Sequence, residues 1–239
     1  MKPASANRYI SLLRHVLNCA VRWGDLNSNP AAGVNMLAEA PMPERVLSDA
    51  EQTALLDAMP DWLRRLTTFV LQTALRRGDV IGLTWAAVQG GSTLELVETK
   101  EGKRRHVPLN STSKSILSVL MAGRKPKPTD YIFEPQLARS VLKWKLRRAW
   151  RRAVKASGIQ PIRFHDMRHT ALSRLVELGA DVRTVQAIAG HSSLKTTQRY
   201  LHSSDRQKQA AVELLDKGHR LPTTGVHNVS DLHVSGIIQ

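Results

Sequence analysis

The residue types best suited to chemistry lie between His165 and Tyr200. The stretch opens with His165, Arg168 and His169 and closes with His191 and Tyr200. Tyrosine is a weak nucleophile at its ordinary pKa of about 10, so it needs activation and a stabilised transition state. Guanidinium groups match the oxygens of a reacting phosphodiester with paired, permanently charged donors. These residues therefore predict attack of Tyr200 on a phosphodiester.

Two short amphipathic helices and the start of a third are predicted to position these side chains. Their apolar faces repeat at helical spacing, with Leu172, Leu175 and Val176 in the first and Val182, Val185, Ile188 and Ala189 in the second. Gly179 suits the end of the first helix because glycine takes positive φ readily. Asp181 is a suitable N-cap for the second helix, and Ser192 or Ser193 for a third that carries Tyr200.

The order of motifs resembles the tyrosine recombinases, the phage-integrase family. H-D-M-R-H-T at 165–170, L-G-A-D at 178–181 and A-G-H-S-S-L-K-T-T-Q-R-Y at 189–200 resemble its catalytic core. Upstream, T-A-L-R-R-G-D at 73–79 resembles its T-G-L-R-x-x-E box, and 99–109 resembles its β-hairpin lysine segment. The resemblance covers about residues 42–217. It implies a catalytic set of Arg76, Lys100, His165, Arg168, His191 and Tyr200.

The resemblance also implies how this set would act. Tyr200 attacks the scissile phosphate and leaves a 3′-phosphotyrosyl link and a free 5′-hydroxyl. Arg76, Arg168 and His191 stabilise the transition state, and His165 accepts or orients the tyrosine proton. The covalent link stores the bond energy, so the chemistry needs no metal, ATP or other cofactor. Type IB topoisomerases use similar chemistry, but the short spacing from His191 to Tyr200 favours the integrases.

A lysine and an acidic residue complete the expected site. Lys100 lies at a polar turn between two alternating segments, 93–98 and 104–109, which predict a β-hairpin. The resemblance makes Lys100 the acid that protonates the 5′-oxygen, with Lys103 as the second candidate. Asp79, three residues after Arg76, is expected to support its guanidinium. The family usually has glycine where this chain has Ala74.

The predicted fold is α+β and mainly α-helical, with the small antiparallel sheet of a tyrosine-recombinase catalytic domain. Helices are predicted at 4–23, 48–59, 61–75, 78–85, 111–122, 139–157 and 204–217. Residues 1–41 are interpreted as the C-terminal remnant of a helical core-binding domain with a linker, 42–217 as the catalytic domain and 218–239 as a flexible tail.

The charge balance favours a polyanionic partner. The net charge is +15 and the pI about 10.6, and basic surfaces gain affinity by releasing phosphate counterions. One face of the helix at 139–157 carries Lys143, Arg147, Arg151 and Lys155. Like charges four residues apart repel each other, and a DNA backbone would relieve that repulsion, so we favour DNA contact over a solvated face. Trp144 and Trp150 are expected in the core.

Composition also bounds where the chain works. No apolar run approaches the roughly 18 residues of a spanning helix, and the single cysteine, Cys19, fits a reducing bacterial cytoplasm. The predicted partner is double-stranded DNA, bound by a homo-tetramer with an accessory directionality or DNA-bending protein, and no membrane.

Two alternatives remain at this level. His165 and His169, spaced i and i+4, approach the H-E-x-x-H zinc pattern with Asp166 in place of the base, although Arg168 would set a fixed cation beside the metal. The other alternative is a DNA-binding remnant without independent recombination. By default, His169 is interpreted as a structural or surface residue, although it lies close enough to the expected catalytic residues to matter.

Overall fold

The computed structural model describes residues 1–39, 45–97, 104–191, 193, 196–197, 200 and 212. The chain divides into two compact units, Met1–Glu44 and Arg45–Gln239. The predictions for Lys100 and Lys103, for Ser192, for the helix at 204–217 and for the tail at 218–239 fall outside the described residues. No helix within the described ranges is both long and apolar enough to cross a membrane.

The first unit is built on helix α1, Pro3–Trp23, at the predicted position. Proline suits the first turn because its missing N–H would have no partner there, and Gly24 ends the helix at φ 86°. The chain that follows is held by side chains of α1. Asn7 donates to the carbonyl of Leu37 at 2.9 Å. Its assignment to a core-binding domain stays a prediction.

The described part of the second unit is mainly helical, with one small sheet. The helices are α2 (Asp49–Asp57), α3 (Asp61–Thr73), α4 (Arg77–Gly82), α5 (Ser111–Met121), α6 (Arg139–Ala156), α7 (Asp166–Glu177) and α8 (Val182–Ala189). The strands are β1 (Val88–Gln89), β2 (Thr93–Val97) and β3 (Arg104–Pro108). This arrangement confirms the predicted fold class.

Helix α3 is the centre of the core. It contacts α2, α4, α5, α6 and α7. Its side chains Leu63, Leu66, Phe69 and Val70 are buried, and Phe69 packs edge-on against Phe133 at 5.3 Å between ring centroids. Ser48 and Glu51 cap α2 reciprocally, so the predicted capping box is present. Helix α3 ends earlier than predicted, because Ala74 takes a left-handed conformation at φ 54°.

The predicted hairpin is part of a three-stranded antiparallel sheet in the order β1-β2-β3. Leu94 faces Val107 across β2 and β3, and both side chains are buried. Because side chains alternate along a strand, Arg105 lies on the same inward face as Val107. A charged side chain is therefore directed into the protein from the start of β3.

Helix α6 separates an apolar face from a basic one. Leu142, Leu146, Trp150 and Ala153 are buried, and the indole of Trp150 donates to the carbonyl of Ile162 at 2.9 Å. Trp144 is 58% exposed, so its predicted core position is wrong. It lies on the basic side of the helix, where the Arg148 guanidinium stands 5.3 Å from its ring centroid.

Candidate active site

The site is built around the C-terminal end of α8. Asp181 caps the start of this helix as predicted, accepting from the backbone N–H groups of Arg183 and Thr184. Gly190 ends it in a left-handed conformation at φ 61°. The last carbonyl groups of a helix have no intrahelical partner and carry the negative end of its dipole. Cationic donors are therefore stabilised at this end.

Three guanidinium groups meet these carbonyls. Arg105 donates to Ile188 at 3.1 Å and to Ala189 at 2.6 Å, Arg168 donates to Ala189 at 2.6 Å, and Arg76 donates to Gly190. The arginines come from different elements: Arg76 is the N-cap of α4, Arg105 lies on β3 and Arg168 in the first turn of α7. The tertiary fold thus gathers positive charge at one point.

Arg168 is the most enclosed of the three, with 2% of its surface exposed. It also donates to the carbonyl of Ala74 at 2.7 Å and to Nε2 of His191 at 3.0 Å. Burial, followed by the charges of Arg76 and Arg105, lowers the pKa of Arg168 to about 10. The side chain therefore remains a cation at neutral pH.

His191 is fixed between Arg168 and Thr197. Because a guanidinium can only donate, Nε2 of His191 accepts from Arg168 and carries no proton. Its Nδ1 then carries the proton and donates to Oγ1 of Thr197 at 2.9 Å. The ring stacks on that of Tyr200, with an interplanar angle of 10° and 6.2 Å between centroids.

Tyr200 lies in a buried pocket beside this cluster. Its ring packs with apolar side chains of α7 and α8, among them Leu172 and Val185. Its hydroxyl lies 2.6 Å from Nδ1 of His169, and both residues are buried. Of the two default interpretations of His169, structural or surface, the structure excludes the surface position.

His165 is the N-cap of α7 and is exposed. Its ring packs edge-on against that of His169, with 4.8 Å between centroids and an interplanar angle of 89°. Partial desolvation, followed by the neighbouring His169 and Arg168, lowers the pKa of His165. The neutral imidazole is thus favoured at neutral pH.

A family model described as the phage integrase family matches residues 45–207, which include every predicted catalytic position. The chain belongs to this family. The family identified from the sequence motifs is thereby confirmed.

Individual integrase relatives agree with this assignment. The chain is 32% identical to the tyrosine recombinase XerD of Lacticaseibacillus casei over 85% of its own length and 74% of the relative. It is 30% identical to a shufflon-specific DNA recombinase of Escherichia coli over 84% of its own length. The match covers 52% of that recombinase, so the chain spans about half of this relative.

A solved integrase structure shares the fold. A dimer of lambda integrase residues 75–356 bound to a COC′ core site matches with a TM-score of 0.68 and 23% identity. The match covers 85% of this chain and 75% of that one. At this identity the comparison shows the fold alone.

Arg105 is a residue of this site that sequence reasoning missed. The ion pair described for Asp79 joins it to Arg105 at 2.7 Å, whereas the sequence-based prediction paired Asp79 with Arg76. Alternation along β3 could have revealed Arg105, because it shares a face with the buried Val107. Asp79 offsets part of the positive charge of the cluster.

The two histidines of the zinc alternative meet each other and Tyr200. The His165 ring contacts the His169 ring, and His169 contacts the tyrosine hydroxyl. Within the described residues, they belong to no group of three or more His, Cys, Asp or Glu side chains placed to hold a metal ion. The described contacts of these two histidines lead to the Tyr200 hydroxyl.

The predicted DNA-binding residues Lys143, Arg147, Arg151 and Lys155 are all exposed on α6. Arg147 and Arg151 line an open cleft on this helix together with Trp144, Arg148 and Arg152. An indole among four guanidinium groups can contact a nucleic acid both electrostatically and by stacking.

Replacement of Arg105 by methionine should lower the free energy of unfolding by about 2–4 kcal/mol, because it leaves Asp79 and two helix-terminal carbonyls without this donor. Arg104→Met is the matched control. Arg104 is the neighbour on β3, its side chain is 68% exposed, and its pair with Glu95 contributes less than about 1 kcal/mol. Denaturant unfolding would measure both, and equal losses would contradict a structural role for Arg105.

The lowered pKa of His165 predicts a pH dependence of stability. Between the folded-state pKa and the unfolded value of about 6.5, the unfolded chain binds more protons at this residue, so the free energy of unfolding falls as the pH falls. His165→Gln removes this contribution. The free energy of unfolding of wild type minus that of the variant should therefore become less positive or more negative as the pH falls from about 7.5 to about 5.5 in denaturant unfolding. A rise of this signed difference as the pH falls would mean that folding raises the pKa of His165.

Proposed function

We propose that this chain is the catalytic part of a site-specific DNA recombinase, which cleaves and rejoins DNA through a 3′-phosphotyrosyl link. The observation that carries the proposal is the position of Tyr200, whose ring stacks on His191 while His191 accepts from the buried Arg168. Membership of the phage integrase family supports the same conclusion.

The arginine cluster suits the transition state of this reaction. Attack on a phosphodiester places additional negative charge on the non-bridging oxygens, and fixed cationic donors stabilise that charge without reorganising during the step. The α8 carbonyls and Asp79 already fix the directions of Arg76, Arg105 and Arg168. We assign Arg76, Arg168 and His191 to stabilisation of the transition state.

The remaining roles follow the direction of proton movement. The Tyr200 oxygen forms a bond to phosphorus while the bond from phosphorus to the 5′-oxygen breaks, and Lys100 protonates that oxygen. The link retains the energy of the phosphodiester, so the 5′-hydroxyl of another strand can reverse the step without ATP or metal. His165, at the N-terminal end of α7, accepts the proton of Tyr200 or orients its hydroxyl.

Double-stranded DNA is the proposed partner. The excess of positive charge and the exposed basic face of α6 support backbone contact. The lambda integrase structure with the same fold holds a dimer on DNA, which supports assembly on the substrate. We extend this to four protomers on two duplexes, assisted by an accessory directionality or DNA-bending protein in the bacterial cytoplasm.

The first test is covalent capture on nicked duplexes that carry the native flanking site, incubated in EDTA and separated on a denaturing protein gel. Wild-type chain should form a protein–DNA band, and Tyr200→Phe should form none, because it lacks the nucleophilic oxygen. Binding of the duplex without a band would favour the DNA-binding remnant. A band that requires added metal would overturn the mechanism.

The second test concerns the basic face of α6. Arg151→Gln should reduce the slope of log affinity against log salt by about one unit, because one phosphate contact is lost. Lys145→Gln is the matched control on the same helix, since Lys145 pairs with Glu134 and stands 4.4 Å from the centroid of Trp62. Equal slopes for Arg151→Gln and wild type would show that this face does not bind the backbone.

A further inference from the structure

We propose that His169 is the proton acceptor for the Tyr200 hydroxyl, with His165 acting only to orient it. This inference rests on the proposed function and assigns a further catalytic residue to it. The sequence-based prediction gave the acceptor role, or an orienting role, to His165. The contact between the tyrosine oxygen and Nδ1 of His169 points to the neighbouring histidine instead.

The geometry of this contact fits proton transfer. The hydroxyl oxygen and Nδ1 are 2.6 Å apart, at the short end of the range expected for a general base and the proton that it takes. Tyr200 and His169 are 7% and 6% exposed, so water has little access to compete for this proton. The rings are tilted by 31° with 5.6 Å between centroids, which leaves the nitrogen directed at the oxygen.

The position of His169 in the fold keeps the contact fixed. The residue lies in the first turn of α7, directly after Arg168, whose guanidinium is bonded to Ala74, Ala189 and His191. The acceptor and the central cation of the cluster are therefore carried by consecutive residues of one helix. A shift of Arg168 would therefore also move His169, so activation of the nucleophile is coupled to the binding of the phosphate.

The other two histidines have different partners. Nε2 of His191 accepts from Arg168, and its Nδ1 donates to Thr197, so both ring nitrogens hold contacts that orient the ring. The exposed His165 contacts the His169 ring edge-on at 4.8 Å and fixes the plane of that ring. This contact suits an orienting residue, because it acts on the nucleophile through His169.

The charges around His169 favour transfer at the moment of attack. The His165 ring contacts the His169 ring, and the Tyr200 ring lies 5.6 Å from it between centroids. Arg168, the preceding residue of α7, is a cation at neutral pH. Cations beside an imidazole oppose its protonation, but they also stabilise a phenolate. The negative charge then passes to phosphate oxygens beside the arginine cluster, so the imidazolium forms next to an anion.

The step is balanced in atoms and charge. The proton of the Tyr200 hydroxyl moves to Nδ1 of His169, and the freed electron pair forms the bond to phosphorus. The bond to the 5′-oxygen breaks, and that oxygen takes a proton from Lys100. In the rejoining step, a 5′-hydroxyl returns a proton to Lys100, attacks phosphorus and releases the tyrosine oxygen, which recovers its proton from His169.

The test uses His169→Asn, whose side-chain oxygen can occupy the place of Nδ1 and accept a hydrogen bond but cannot take a proton. Formation of the covalent complex on nicked duplex should slow by about 10²–10⁴-fold, the usual contribution of general-base catalysis. Duplex affinity should remain that of the wild type. Retained affinity also shows that the variant is folded, and His169→Ala with the same rate loss would exclude an effect specific to asparagine.

A modified substrate and a modified nucleophile distinguish a proton acceptor at His169 from a general acid and from a structural residue. A 5′-phosphorothiolate has a leaving group that needs no proton, so it should restore Lys100→Ala and leave the loss in His169→Asn unchanged. Replacement of Tyr200 by a difluorotyrosine lowers the pKa of the nucleophile and should narrow the gap between His169→Asn and wild-type His169. A merely structural role would leave that gap unchanged, which would overturn the proposal.

The outcomes separate this inference from the proposed function. If the wild type cleaves DNA and His169→Asn cleaves it at the same rate, the role of His169 is overturned and the recombinase proposal stands. A large loss in His165→Asn but not in His169→Asn would return the acceptor role to His165. If bound wild-type chain forms no covalent complex, both proposals fail together.

Discussion

The active-site region depends on the carbonyl end of α8. A helix terminus in the interior leaves acceptors that must be paired, and here guanidinium groups from α4, β3 and α7 pair them. The same contacts solve a second problem, because three cations in one place repel each other unless acceptors lie between them. The arginine of each element therefore holds that element to α8 through a charged hydrogen bond to a helix-terminal carbonyl.

This constraint explains why Arg105 and Asp79 matter although neither lies in the H-x-x-R segment. Arg105 joins the start of β3 to α8 and to Asp79 on α4, so it holds the sheet and both helices in one arrangement. The predicted Lys100 follows β2 in sequence and precedes β3. Arg105 thus fixes the base of the strand that leads away from the predicted general acid.

The second feature is the separation of charge from the nucleophile. Tyr200 packs in an apolar cluster with Ala74, Ala171 and Leu172, while its hydroxyl reaches His169. The apolar walls keep water from the oxygen, and the arginines lie where charge develops during displacement. Ala74 belongs to both parts, because its side chain packs in this cluster and its carbonyl accepts from Arg168. Its left-handed backbone, which glycine would adopt more easily, turns that carbonyl away from α3.

The sequence by itself determined the family, the fold class and most helices, because these follow from local information such as the capping box at Ser48 and the N-cap Asp181. It could not assign partners among charged side chains, since ion pairs and burial depend on residues far apart in the chain. Tertiary packing alone paired Asp79 with Arg105, buried His169 against Tyr200 and left Trp144 exposed. Periodicity places a side chain on a face of its element, but only the assembled fold decides what that face meets.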